Sequence, residues 1–407
     1  MSFPRKRESR FDECFVWIPS QAGNDMKMLT FDFMSKRILI SPNAFKHSLS
    51  AIEVAKTVKL ALDQFDLKCE LSPIADGGDG TIDVLNFSFP SSKFIKTKVH
   101  DPLMREIESS WILWDKDTAV IELAKTSGIT LLKQNELNPM WANTFGTGEL
   151  ILSALDKGCR KIIIALGGSA TIDAGVGILE ALGGRFEDKK RNKVKPGAGF
   201  LNLIEKINWG HLDKRIKDCE IHILCDVQSH LVGKKGIVNF SAQKGASPGE
   251  LVVIETNMNH YAEVVKKTIG AEFRFEPMTG AAGGVAFSLK AFLGAKLFSG
   301  FAYIANLISL EEKIKKSNLV ITGEGNLDSQ SLMGKGVIEL AKLAKKYSKK
   351  AIVLCGDYDE CINWKEHYIE HVIKIKPENL SLEESLKNTQ QLIVDTIKQN
   401  VQLFINS

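Results

Sequence analysis

Two aspartates three residues apart, Asp76 and Asp79, stand in the string Ala75-Asp76-Gly77-Gly78-Asp79-Gly80-Thr81. Like charges this close are unfavourable unless a cation, a ligand or a set of donors faces them. An Asx turn with a helix N-cap accounts for Asp79 alone equally well; the pair favours a functional reading. A second string, Gly167-Gly168-Ser169-Ala170-Thr171-Ile172-Asp173, puts hydroxyls and a carboxylate beside consecutive glycines. Such a backbone can form a nest of N–H groups for phosphate or carboxylate oxygens. Glycines needed only for close helix packing would not require Ser, Thr and Asp as well. A third string, Thr322-Gly323-Glu324-Gly325, leads through Asp328, Ser329 and Ser331 to Gly334-Lys335-Gly336. It is not a Walker A loop, because Gly334-Lys335 lacks the upstream glycine and the following Ser or Thr. Asp76, Asp226, Glu324 and Asp357 each stand just beyond an apolar run. Strands that all point one way would gather several of these acids at one rim. Carboxylates beside anion-binding loops fit Mg²⁺ and a phosphorylated ligand.

These groups need strands to deliver them and helices to leave from them. Leu319-Val320-Ile321 reads as a buried parallel strand that stops at the Thr322–Gly325 turn. Apolar pairs from Val337 to Ala344 then recur at helical spacing, and the helix N-terminus suits an anion. Arg37–Ile40 and Cys69–Ile74 are further strands, ending in Ser41-Pro42-Asn43-Ala44-Phe45-Lys46-His47 and in the Asp76 turn. Ser50 with Glu53, Ser247 with Glu250 and Ser381 with Glu384 are capping boxes. Residues 93–100 and 107–114 predict an antiparallel hairpin; 118–123, which holds Glu122, 161–165 and 220–225 predict more strands. Residues 185–202 read as a surface loop, and Thr279-Gly280-Ala281-Ala282-Gly283-Gly284 opens a helix of small residues. His367 and His371 have helical spacing without a further ligand nearby and read as a solvated helix face rather than a zinc site.

Strands without intervening helices after residue 83 suggest that a second, partly antiparallel unit begins there. The expected fold is α/β with two α/β domains. One has a doubly wound, mainly parallel sheet formed by both chain ends, residues 34–82 and 283–407; the other is a mixed-sheet insertion, residues 83–282.

With 407 residues, the chain is long enough for two real cores. A net charge of +4, spread along the chain, does not indicate a nucleic-acid partner. Seven cysteines without a CxxC pair suit a reducing cytoplasm, and no apolar run has the length of a membrane span. The absence of GxGxxG after any strand argues against a dinucleotide-dependent dehydrogenase. Residues 1–33 lack an apolar signal core and clear periodicity, and resemble translated bacterial repeat elements. They are expected to be a disordered or spurious leader, with the protein starting near Met34.

From about Lys36 onward the chain resembles the class I glycerate kinase family of bacteria. The likeness rests on ILISPNAFKHSLSA, PIADGGDGTID, VHDPLMREIE, NTFGTGELI, IIALGGSATIDAGVGILEALGG, SAQKGA, GAAGGVAFSLKAFLGAKL and LVITGEGNLDSQSLMGKG, in that order. It implies transfer of the γ-phosphoryl group of ATP, with Mg²⁺, to a hydroxyl of D-glycerate, in a cleft between two α/β domains, the first of them discontinuous. It favours the 2-hydroxyl, hence 2-phosphoglycerate. Four places depart from the family pattern: His47 and Met104 stand for glycines, Ile172 and Ala174 interrupt an Asn-Asp-Gly-Gly, and Ser229-His230 replaces Asn-Pro.

On this reading Asp76 or Asp173, helped by Lys46, does the catalytic work. Asn43, Lys46, Ser169 and Thr171 bind substrate; Gly167, Gly168, Gly283, Gly284 and Lys335 hold nucleotide phosphates; Asp79, Asp226 or Glu324 holds Mg²⁺. The alternatives are a kinase of another small hydroxy acid and an inactive nucleotide sensor of the same fold. The resemblance implies small-molecule partners only, in a monomer or a homodimer.

Overall fold

The computed structural model describes residues 13–19, 26–32, 36–65, 67–333 and 336–406. It contains a five-stranded, wholly parallel sheet in the order His371–Lys374, Lys350–Tyr358, Leu319–Leu327, Arg37–Ile40, Lys68–Leu71. Leu319 stands opposite both Ile38 and Lys350, which sets the register of the centre. In chain order these strands run 5-4-3-1-2. The connections therefore reverse direction between Arg37–Ile40 and Leu319–Leu327, and the crevice at that switch point is where open α/β sheets bind ligands.

The second sheet has six strands: Lys296–Phe298, Glu220–Leu224, Lys161–Ala165, Thr118–Glu122, Glu106–Leu113 and Lys93–His100. The first four are mutually parallel, and the last two add antiparallel pairings, so the sheet is mixed as expected. Continuous apolar runs such as Ile162-Ile163-Ile164 are buried because helices cover both faces.

Three apolar clusters hold this together. One lies on the outer side of the five-stranded sheet, around Ile38, Ile40, Leu354 and Phe404. One belongs to the six-stranded sheet, around Trp111, Ile164, Tyr261 and Phe287. The third joins the two: Leu39, Val320 and Val353 of one sheet share it with Val120, Ile163 and Leu224 of the other. All three capping boxes form.

Several elements differ from the sequence reading. Strand pairing continues past Ile321 to Leu327, opposite Cys355, Asp357 and Tyr358, so Glu324 is delivered by a strand and not by a turn. The glycines on either side do not break it, because main-chain bonds from Leu319–Leu327 to its neighbour supply the order that side chains would not. Lys296–Phe298 pairs with Glu220–Leu224, and helix Ala281–Leu293 packs in the core of the six-stranded sheet. The chain therefore leaves that sheet after Phe298 rather than at residue 283. Residues 185–202 contain a short strand, Arg185–Glu187, paired with Lys206–Asn208. His367 ends a 3₁₀ turn and His371 opens a strand, so they share no helix face. Within the leader, Glu13–Pro19 and Met26–Asp32 pair as an antiparallel hairpin, for which the β-branched and aromatic residues of ECFVWIP supply the propensity; its other residues lie outside those described.

Candidate active site

The loop after Arg37–Ile40 continues along the neighbouring strand. The Ser41 and Asn43 N–H groups donate to the Ile321 and Gly323 carbonyls at 2.7 and 2.8 Å, and the Thr322 hydroxyl donates to the Ser41 carbonyl at 2.8 Å. This fixes Asn43 at the switch point, where its Nδ2 points to Asp76 Oδ2 across a long 3.5 Å contact. Asp76 is half-buried, Asp79 is exposed, and Lys46 is exposed next to Gly325. Glu324, on the adjacent strand, is buried. Lys335 lies outside the described residues.

The two sheets meet at this rim through backbone. Gly167 N–H donates to the Gly77 carbonyl at 3.1 Å, and a Cβ on Gly167 would fall 2.4 Å from Gly78 Cα. A Cβ on Gly300 would fall 2.1 Å from the Asp76 carbonyl oxygen. No other residue type allows these approaches. They seat the Asp76 turn against the ends of Lys161–Ala165 and Glu220–Leu224. Beside it, Asp226 accepts from Ser299 Oγ at 2.7 Å and from the Phe301 N–H at 3.0 Å, holding the start of helix Gly300–Leu307. Burial pushes the Asp226 carboxyl up to about 6 against these bonds, and neighbouring Asp76 adds to the rise.

The Gly167–Asp173 string divides in two. Gly168 is exposed, with φ 79°, and Ser169 is half-buried, so this part is open to solvent beside the Asp76 turn. Thr171 and Asp173 are fully buried. Asp173 accepts four hydrogen bonds, from Thr144 N–H and Oγ1 and from the Gly175 and Gly177 N–H groups, at 2.8–3.1 Å. It ties its own turn to the helix that begins at Phe145. Burial raises its pKa, opposed by those bonds. A carboxylate so enclosed has no path to a substrate proton, which corrects the expectation of a catalytic Asp173. Gly283 and Gly284 are corrected likewise. Both are buried at positive φ, where a Cβ would lie 2.2 Å from the Thr171 carbonyl or 2.8 Å from Leu231. Close packing against the 171–174 turn explains them, rather than phosphate binding.

Among the described residues no three His, Cys, Asp or Glu side chains are placed to hold a metal ion. Asp79, Asp226 and Glu324 therefore do not converge as one ligand set. They come from separate strand ends whose spacing the sequence does not encode.

Two residues outside the expected set stand behind the rim. Glu122, fully buried, accepts from the Ile82 N–H at 2.8 Å at the start of the helix that follows the Asp76 turn. Burial pushes its carboxyl up to about 8; Lys125 and the Ile82 bond oppose this, and Asp79 and Asp83 add to it. Its signal in the sequence was a carboxylate inside the apolar run Thr118–Glu122. Lys244 is buried, with Nζ 2.6 Å from Ser169 Oγ and 2.8 Å from the Thr171 carbonyl. Nothing in the local pattern of SAQKGA separates it from a surface lysine.

Three of the four departures fall on left-handed backbone: His47, Met104 and Ala174 have φ of 66°, 65° and 53°. These positions have the left-handed backbone that suits glycine although each carries a side chain.

A parallel sheet whose switch point is packed against the strand ends of a second, mixed sheet defines a two-sheet α/β protein, with the crevice where open α/β sheets take ligands lying at the seam. Residues 38–405 match the model of the glycerate kinase family. The chain is 40% identical over 356 residues to a glycerate 2-kinase of Escherichia coli K12, spanning 86% of this chain and 93% of that one. It is 36% identical over 367 residues to a glycerate kinase of Bacillus subtilis 168, spanning 89% and 96%. A solved chain described as a glycerate kinase 2 from Salmonella typhimurium LT2 superposes with a TM-score of 0.77 at 33% identity, covering 91% of this chain and 99% of that one. The chain belongs to the glycerate kinase family, and it is a kinase by class. Among the described residues no helix is long and apolar enough to cross a membrane.

Proposed function

We propose that this protein transfers the γ-phosphoryl group of ATP to the 2-hydroxyl of D-glycerate, forming 2-phosphoglycerate. The observation that carries this reading is the seam itself. The Asp76 turn, its carboxylate beside Asn43 at the switch point, is packed through glycine backbone onto the turn at Gly167, Gly168 and Ser169, of which Gly168 is exposed and the other two half-buried. Phosphoryl transfer is achieved chiefly by positioning and charge neutralisation. Asp76, steadied by Asn43, is the carboxylate available to orient the glycerate hydroxyl and accept its proton. The Gly167–Gly168 N–H groups and the Lys46 ammonium offset the charge of phosphate or carboxylate oxygens.

Mg²⁺ would fit Asp226, because its carboxyl is raised chiefly by burial and further by neighbouring Asp76, and a bound cation would favour its charged form. A magnesium ion held largely by phosphate oxygens needs only one or two protein carboxylates and supplies charge neutralisation there. The name of the E. coli relative, a glycerate 2-kinase, favours the 2-hydroxyl.

A coupled ADP-release assay with D-glycerate and other hydroxy acids tests the substrate, and phosphorus NMR of the product tests the position. Release of ADP with D-glycerate and a 2-phospho product are expected. A preference for another acid, or a 3-phospho product, overturns the corresponding part.

A further inference from the structure

The turn that is open to solvent at Gly168 and Ser169 is held from behind by a lysine that the chemistry above does not use. Lys244 ends the 3₁₀ turn Ala242–Lys244 and is only 5% exposed. Its Nζ sits 2.6 Å from Ser169 Oγ and 2.8 Å from the Thr171 carbonyl. Lysines are seldom buried without a partner that needs them. Here the charged group facing the ammonium is Asp173, whose oxygens are already engaged by Thr144, Gly175 and Gly177.

The donor inventory decides what this contact does. An ammonium has only donors, whereas a serine hydroxyl has one hydrogen and two lone pairs. Burial pulls the Lys244 amine down to about 7 against the charge of Asp173, so only its protonated form is restricted to donating. In the structure Nζ donates to Ser169 Oγ, and in that arrangement the serine hydrogen points elsewhere. Among the described residues Lys244 is the one side-chain partner of Ser169, so that hydrogen has no protein acceptor. Ser169 is half-buried and follows exposed Gly168, which leaves the open side beside the Asp76 turn as its outlet.

We propose that Lys244 is a positioning residue that fixes the polarity of Ser169, reserving the hydroxyl as a donor to an anionic oxygen of the bound substrates. This rests on the reading of the seam as the substrate cleft. That oxygen belongs either to the carboxylate of the acid or to a phosphoryl group of the nucleotide, and separate KM values distinguish the two. A hydroxyl whose hydrogen is already aimed loses less freedom on binding, and a ligand offering a donor at this point is disfavoured.

The test is a double-mutant cycle on the full chain with steady-state kinetics for both substrates. Ser169→Ala and Lys244→Met should each raise the KM of the same substrate by about tenfold or more, the scale of a hydrogen bond to a charged group, with a much smaller change in kcat. Because Lys244 acts through Ser169, adding Lys244→Met to Ser169→Ala should raise that KM little further. Additive effects, or a Lys244→Met variant that loses kcat and stability while both KM values hold, make Lys244 a purely structural tie and overturn the proposal. Lys244→Gln, whose amide oxygen can take the serine hydrogen, serves if Lys244→Met does not fold, and should again raise the KM affected in Ser169→Ala. Unchanged KM values for both substrates in Ser169→Ala overturn the proposal with no lysine variant needed. Wild-type protein without glycerate-dependent ADP release would instead count against the proposed function.

Discussion

Asp76 and Asp173 look alike in the sequence: each is an aspartate among glycines, a few residues past a short apolar strand. In the structure one is half-buried with a single long contact to Asn43, and the other is fully enclosed by four donors. The difference lies in what closes over each turn. Asp173 is covered by the helix at Phe145 and by the packed turn at Gly283, whereas Asp76 opens onto the seam between the sheets. A carboxylate that satisfies its neighbours' N–H groups stabilises the fold, and one left partly unsatisfied is available to a ligand.

The largest expected effect comes from reversing the enclosed member. Asp173→Asn sets an amide NH2 against at least one buried donor, the Gly175 N–H at Oδ1, and weakens the three bonds at the other oxygen by removing the charge. This should cost about 3 kcal/mol in urea-unfolding stability. Turnover per folded molecule should be largely kept. Normal stability with lost turnover would restore Asp173 to the catalytic set and break the contrast.

Next is Asp76→Asn, which should lower kcat by roughly a hundredfold or more while unfolding stability stays within about 0.5 kcal/mol. Near-normal turnover would remove Asp76 from the mechanism.

A third measurement concerns the support under the open turn. Glu122 titrates at about 8 when folded, above its ordinary 4.5, with Lys125, Asp79 and Asp83 as its charged neighbours. Its contribution to stability is therefore full below about 4.5 and is lost as pH rises through 8. Glu122→Gln should flatten the decline in stability across that window, as read from urea midpoints at successive pH values. A decline as steep as in the wild type would place the responsible proton elsewhere.

The smallest effect compares left-handed positions in the two regions. His47→Gly, at an exposed loop, should raise stability by about 0.5–1 kcal/mol by removing Cβ strain, net of the glycine's chain entropy. Ala174→Gly, in the enclosed turn, should be near neutral, because a buried methyl worth about 0.8 kcal/mol is lost with the strain. Equal gains at both would mean that packing around Ala174 contributes nothing.

Local chemistry made much of this molecule legible beforehand. Ile162-Ile163-Ile164 can only be a strand buried on both faces, and Ser50 with Glu53 marks a helix start wherever it occurs, because these signals act over a few residues. Asp76 and Gly167 to Ser169 stand out on the same short range, as candidates for binding anions or substrate. Other assignments depended on partners distant in the chain. Glu324 sits in a strand because pairing with Lys350–Tyr358 continues past it. Gly283 proved to be a packing residue because the 171–174 turn presses on it. Lys244 could be recognised only once Ser169 lay 2.6 Å away, 75 positions from it in the sequence. Side-chain type and short spacing thus determined which groups can bind anions or accept protons. The tertiary structure alone decided which of them face the cleft, since burial and donor count are set by segments that meet only in the folded chain.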